Sequence, residues 1–346
     1  MRAVVVDRFG LRPSLQHVAD PVCPPDGAVI RVHACGVCRS DWHAWRGHDA
    51  TVTPPYVPGH EWAGEVVEVG ADVRGWRGGE RVTAPFVQAC GICGQCAEGE
   101  QQVCADQRQP GFTHDGAFAD LVVAHRADVN LVALPADMDA ITAASLGCRF
   151  ATAHRAVAGH GGVRTGWWVA VHGCGGVGLS AVMIARALGA RVVAVDVSAE
   201  ALRVAAGLGA KVLVDSRETE PAAAVRDATG GGAHVSLDAY GSTSTCLASI
   251  ASLRPRGRHV QVGLLVGGSP TPVPMDRVLA EELTLVGSHG LAAHDYPTLL
   301  ELVASGAVDP GRLVTRTIGL DEAGDELVEM DAAGGRGGMT VIDLRR

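Results

Sequence analysis

The chain has 346 residues, of which 47% are hydrophobic and 19% charged, with 29 Lys+Arg against 38 Asp+Glu for a net charge of -9. That length exceeds one small core and suits two domains, and the composition excludes a disordered chain. The acidic balance, with no basic cluster, argues against nucleic acid or an anionic membrane as partner. No apolar stretch reaches the ~18 residues of a membrane helix. Met1 to Gly10 turns charged at Asp7 and Arg8, unlike a signal peptide, so a cytoplasmic location is expected.

Residues 1–145 are rich in Val, Pro and Gly, with short alternating apolar runs such as Ala28–His33, Gly64–Val69 and Phe118–Val123. These read as strands of an antiparallel, barrel-like β domain. Four of the ten cysteines fall inside it as Cys90-x2-Cys93-x2-Cys96-x7-Cys104. Clustered cysteines in such a chain argue for metal before disulfide. Four thiolates close a tetrahedral zinc site with no open position, which stabilises a lobe (90–104) and does not catalyse. Four thiolates also suit iron, and reduced cysteines in a loose loop are the plainer alternative.

From 150 to 288 the pattern changes to Val-rich strands alternating with Ala-rich helical stretches, the signature of a parallel sheet. Six strand candidates lie near 169–172, 191–195, 211–215, 234–238, 258–263 and 283–287. Six is the number in two mononucleotide-binding halves. The last stretch, 289–346, holds a helix (Tyr296–Ser305) and a terminal strand (Met339–Leu344). It is too small to stand alone and is expected to return to the first domain.

After the first strand of this unit comes Gly173-Cys174-Gly175-Gly176-Val177-Gly178, a G-x-G-x-x-G run leading into a helix with Leu179, Val182 and Met183 on one face. The first glycine makes the turn, the second admits a pyrophosphate, and the third lets helix pack on strand. The helix start offers free N–H groups to the phosphates. The next strand ends at Asp196, 18 residues past Gly178. An acid there accepts the ribose hydroxyls of NAD and repels the extra phosphate of NADP. Val197 and Ser198 supply no arginine for that phosphate.

The other candidate ligands are dispersed: Cys38, His60 and Cys148. Two thiolates and an imidazole would leave a fourth position open, as a catalytic zinc requires, but spacing alone does not select these three. The segment Gly59-His60-Glu61-x2-Gly64-x5-Gly70-x2-Val73 resembles the signature of the zinc-containing alcohol dehydrogenases of the medium-chain dehydrogenase/reductase family. Cys38-Arg39-Ser40-Asp41-x-His43, the four-cysteine loop, Cys148 and the glycine loop follow in that family's order, so the resemblance spans essentially the whole chain.

The resemblance implies an α/β chain with a GroES-like β-barrel catalytic domain (1–149), a doubly wound, six-stranded Rossmann domain (150–288), and a tail (289–346) that rejoins the first. It implies two Zn2+ per chain, one on Cys38, His60 and Cys148 and one on the four-cysteine lobe, with NAD as cofactor. Glu61 would sit behind the catalytic metal, and Asp41 would hydrogen-bond His60. Ser40 and His43 match a proton relay that passes through the cofactor's ribose. Thr152 matches a residue near the nicotinamide, and Arg39 one near the pyrophosphate. Val262 joins the cofactor-binding set with Gly173, Gly175, Gly176, Val177, Gly178 and Asp196. Phe86 matches a substrate-pocket aromatic, and Trp42 is taken to line that pocket, outside what the family fixes.

The implied chemistry is oxidation of an alcohol to an aldehyde or ketone, and the reverse. Zinc as a Lewis acid stabilises the alkoxide, which passes a hydride to the nicotinamide. A histidine titrating near neutrality suits the terminal base of the relay. Cys148 as third ligand favours the simple-alcohol branch over polyol or amino-alcohol dehydrogenases of the same family. A non-catalytic zinc- and nucleotide-binding module should have lost Cys38, His60 or Ser40. The partners implied are a small alcohol or aldehyde and further copies of the chain, as a dimer or tetramer. The strand Leu283–Gly287 offers a pairing edge.

Overall fold

A computed structural model describes residues 1–265, 270–331 and 337–346. Two sheets carry the architecture. The first is built on the long strand Ala28–Val37, which pairs antiparallel with Glu61–Val69, with Leu121–Ala124 and with Met339–Asp343. Outward from Glu61–Val69 come Arg81–Thr83 and Val132–Ala133, and beyond Met339–Asp343 lies Val314–Ile318. Register shifts at Val29/Ile30 and Val32/Ala34 mark two bulges, the first with the extra residue Val67 in the partner strand and the second with His33 in the long strand. Bulges add twist, which lets a short sheet curl around its own core. Ile30, Val32, Trp62, Val66, Val82 and Phe118 fill that core.

The expected strand Phe118–Val123 runs instead over Leu121–Ala124. Phe118 and Ala119 turn to the N-terminal strand: Val4 N donates to Phe118 O, and Ala3 bridges Ala119.

The second sheet has six parallel strands: Trp168–His172, Arg191–Asp196, Val212–Asp215, Ala233–Asp238, Leu253–Gln261 and Thr284–Gly287. Their spatial order, counted along the chain, is 3-2-1-4-5-6, the doubly wound arrangement. All five residues of Trp168–His172 are buried, as a central parallel strand covered on both faces requires. The helix Gly176–Ala187 buries Leu179, Val182, Met183 and Ile184 against the sheet. Its neighbour Ala199–Gly207 starts on Ser198, whose hydroxyl accepts from Ala201 N.

Between the sheets the chain is helical from Ala140 to His160, apart from a turn at Ser145. It widens to π geometry at Leu146–Phe150 and at Arg155–His160. A π turn carries one more residue than an α turn, so it re-aims the side chains that follow. Cys148 lies in the first of these. The tail divides its packing. Tyr296 and Leu299, on the helix Tyr296–Ala304, join the nucleotide-side core with Leu146, Phe150 and Leu179. The strand Met339–Asp343 inserts into the first sheet. No described helix is long and apolar enough to cross a membrane.

Candidate active site and metal centres

The end of the long strand, the start of the next and the π turn converge on one point. Cys38 caps the short helix Arg39–Trp45, His60 comes just before the strand Glu61–Val69 that Glu61 opens, and Cys148 comes from the connecting helix. One donor atom from each of these four residues lies within 4.8 Å of every other, and all four are buried. Asp41 organises the group. Its Oδ1 accepts from Gly59 N at 3.1 Å and from His60 Nδ1 at 2.9 Å, and its Oδ2 accepts from Cys38 N at 2.9 Å. A proton held on Nδ1 leaves Nε2 as the free lone pair, as a metal ligand needs. His60 Nε2 is buried and has no hydrogen-bond partner among the described residues. Such an orphan is costly unless a cation or donor meets it.

Hydrogen bonding from Cys148 draws the Cys38 thiol well below its ordinary pKa, against the effect of burial, and His60 and Arg149 add to the shift. Glu61 belongs to the same cluster, but Arg149 holds it: Arg149 N and Nε donate to Oε1 at 2.8 and 3.0 Å, and Nη2 to Oε2 at 2.5 Å. Cys38, His60 and Cys148 are therefore the three donors left for an ion. A soft, borderline set of two sulfurs and one imidazole with a place open fits zinc.

The cysteine lobe is a second such cluster. Cys90–Cys96, Cys93–Cys96 and Cys93–Cys104 sulfurs are 3.8, 3.5 and 3.7 Å apart. Four sulfurs about 2.3 Å from a central zinc in a tetrahedron lie about 3.8 Å from one another, so this set also fits. Backbone N–H groups of Ile92 and Cys93 point at Cys90 Sγ, and that of Cys90 at Cys104 Sγ. Hydrogen bonds from the backbone at Cys96 and Ala105 bring the Cys93 thiol down to about 6. All ten cysteines are free of disulfides.

The glycine loop turns at Gly173, where φ is 92° and N donates to Val195 O. A Cβ on Gly178 would stand 1.8 Å from Gly173 O, so only glycine allows the helix this close. A Cβ on Gly175 would meet nothing within 4 Å among the described residues, which leaves the loop open for an approaching anion. Val177 follows on the first turn of the helix and packs against the nucleotide-side core. Asp196 ends its strand with Oδ2 accepting from Cys174 N at 2.6 Å and Oδ1 from Ser198 N at 2.7 Å. The acid is thus fixed beside the loop.

The profile "Alcohol dehydrogenase GroES-like domain" matches residues 24–136, and "Zinc-binding dehydrogenase" matches 176–305. An alcohol dehydrogenase of Geobacillus stearothermophilus is 32% identical over 100% of this chain and 99% of its own. A sorbitol dehydrogenase of Halalkalibacterium halodurans is 31% identical over 93% and 94%. The alcohol dehydrogenase TADH from Thermus sp. ATN1 superposes with a TM-score of 0.90 at 32% identity, covering 99% of both chains. The chain belongs to the zinc-type alcohol dehydrogenases.

In this dehydrogenase Ser40 Oγ lies 3.8 Å from Cys38 Sγ, and Thr152 Oγ1 is buried without a partner among the described residues. His43 departs from the expectation of a group titrating near neutrality. Burial, then Arg39 and His48, bring it down to about 4, so it is neutral at pH 7 and a weak base there. Its Nδ1 lies 3.0 Å from Nδ1 of His48, one ring donating to the other. Arg39 sits 3.6 Å above the Trp42 ring and donates to Met330 O. Trp42 Nε1 donates to Asp331 at 3.1 Å, which fixes the indole against the tail.

Phe86 packs with Cys38 and Cys148 and stands edge-on to both His60 and His289. Beyond it opens a cleft of about 600 Å³ lined by Gln102, Arg155, Val262, Ser288 and His289. Val262 lies one residue past its strand and donates to Asp238 O. Sequence reasoning missed Arg149 and His289. Neither carries a local pattern, since their relevance comes from contacts with Glu61 and Phe86, far away in the chain.

Proposed function

We propose that this dehydrogenase oxidises an alcohol to an aldehyde or ketone, and reduces in reverse, with NAD as the partner in hydride transfer. Cys38, His60 and Cys148 would hold one zinc, and Cys90, Cys93, Cys96 and Cys104 a second. The observation that carries the reading is the buried His60 Nε2, unpartnered among the described residues, beside two buried thiols. Zinc bound there supplies Lewis acidity at its open coordination place, and NAD bound at the glycine loop supplies the hydride acceptor.

The chain's own residues do the rest. Asp41 fixes the tautomer of His60. Ser40 Oγ takes up the hydroxyl proton beside Cys38 as it gives up its own, and neutral His43, a weak base, hands the proton on to solvent and does not keep it. Phe86 forms the apolar wall next to the metal donors and keeps water out. Asp196 holds the cofactor's ribose and sets the preference for NAD over NADP. The free cysteines fit a reducing compartment such as the cytoplasm. Exposed Met275 and Leu279, on the helix before the edge strand Thr284–Gly287, support self-association into a dimer or tetramer.

The test is an NADH-absorbance screen across primary, secondary, aromatic and branched alcohols, with zinc counted on the same sample. Two zinc ions per chain and turnover of at least one class are expected. Cys38→Ser should abolish turnover, lower the count by one and leave the melting transition cooperative. Full turnover in Cys38→Ser would sink the reading.

One observation favours a second substrate class. Gln102 Oε1, Ser288 Oγ and Arg155 Nε are buried without partners among the described residues, and all three residues line the cleft. Extra hydroxyls on a polyol would meet them. Comparing kcat/KM for simple primary alcohols with that for sorbitol and threonine separates the two classes.

A further inference from the structure

Arg149 touches both halves of the site. On one side its guanidinium is clamped by Glu61, whose carboxylate stands among the donors Cys38, His60 and Cys148. On the other side its stem lies across the glycine loop. A Cβ on Gly176 would meet Arg149 Cδ at 2.4 Å and Nε at 3.4 Å. Gly176 opens the helix Gly176–Ala187, whose N-cap residue Gly175 makes no side-chain cap. Arg149 is only 5% exposed. Its backbone N, Nε and Nη2 are all spent on Glu61, and Nη1 makes no hydrogen bond among the described residues.

A guanidinium this deep is tolerated when its charge and its donors are both met. Glu61 meets the charge and one edge of the fork. The stem beside Gly176 brings the guanidinium to the start of the helix, where N–H groups favour an anion, and a guanidinium fork matches phosphate oxygens. We propose that Arg149 binds the pyrophosphate of the dinucleotide through Nη1, with Glu61 as the positioning residue that holds it there. The metal centre and the cofactor loop are then joined through one side chain. The proposal rests on the dinucleotide reading above and adds to it a residue from outside the glycine loop.

The test measures binding rather than turnover, on the zinc-loaded full chain. NADH is titrated by fluorescence, ADP-ribose by calorimetry, and adenosine, which lacks the pyrophosphate, by competition. In Arg149→Met, NADH and ADP-ribose should weaken alike, by about tenfold or more, while adenosine stays within about twofold. Arg149→Lys keeps a cation in the fold but cannot grip Glu61 with two edges, so it should show the same pattern to a smaller extent. Glu61→Gln should weaken ADP-ribose in the same direction, with adenosine unchanged.

Equal weakening of adenosine would overturn the proposal, because Arg149 would then merely hold the fold. Unchanged ADP-ribose binding in both Arg149 variants would overturn it as well. If the unaltered chain binds neither NADH nor ADP-ribose, the dinucleotide reading itself falls, and this proposal with it.

Discussion

Asp196 shows how much one carboxylate can decide. Its two oxygens are pinned by Cys174 N and Ser198 N, so the group cannot swing away from the mouth of the loop. Each oxygen keeps a lone pair for a ribose hydroxyl. Hydrogen bonds to a charged group are worth roughly 1.5–3 kcal/mol, or about one to two powers of ten in affinity. Asp196→Gly should raise KM for NAD by about tenfold or more and narrow the gap between NAD and NADP. Steady-state kinetics with both cofactors checks this, and an unchanged ratio counts against the role of the acid. Asp196 was legible because it ends a strand at a fixed distance from a glycine run. Arg149 was not, because an arginine beside a cysteine has no pattern until Glu61 and Gly176 are folded against it.

At the scale of elements, the four-cysteine loop and the connecting helix behave differently. The loop closes within fifteen residues, so its ligand set is local and its spacing readable. Cys93→Ser removes one of four sulfurs and opens the lobe. The expected result is one zinc fewer per chain and a melting temperature lower by about 5 °C or more, with Cys38, His60 and Cys148 still holding their ion. Metal analysis and calorimetry on one sample decide it, and an unshifted melting curve would count against a structural metal in the lobe. The connecting helix gave no such signal. Its π turn at Leu146–Phe150 places Cys148, and helical periodicity alone does not reveal an extra residue in a turn. The nucleotide strands were found to within a few residues. The fifth starts earlier than expected, at Leu253, which pairs with Ala233 ahead of a register break that contains Arg256 at a positive φ of 60°.

For the whole molecule, buried histidines set the response to acid. Burial holds His172, with His259 nearby, down to about 3, and burial with His125 does the same to His114. Both are neutral in the folded chain at pH 7. Once unfolded they take up a proton below about pH 6.5. Their stabilisation is therefore full above that pH and lost as pH falls from about 6.5 toward 3. Each such group changes stability by at most about 1.4 kcal/mol per pH unit in this window. Melting temperature should fall between pH 6.5 and 4.5, and His172→Gln, which keeps a partner for Ser252, should flatten that fall. Identical slopes for the two proteins would remove His172 from the account.

The sequence by itself determined the class of fold, the glycine loop, the cysteine lobe and the acid at the strand end, because each is a local pattern whose parts are neighbours in the chain. Tertiary structure decided what is built from distant pieces: the buried meeting of Cys38, His60 and Cys148, the neutral state of His43, and the clamp of Glu61 on Arg149. Desolvation and charge pairing act through space, so a residue's chemistry in the core is fixed by what folds against it, not by what precedes or follows it.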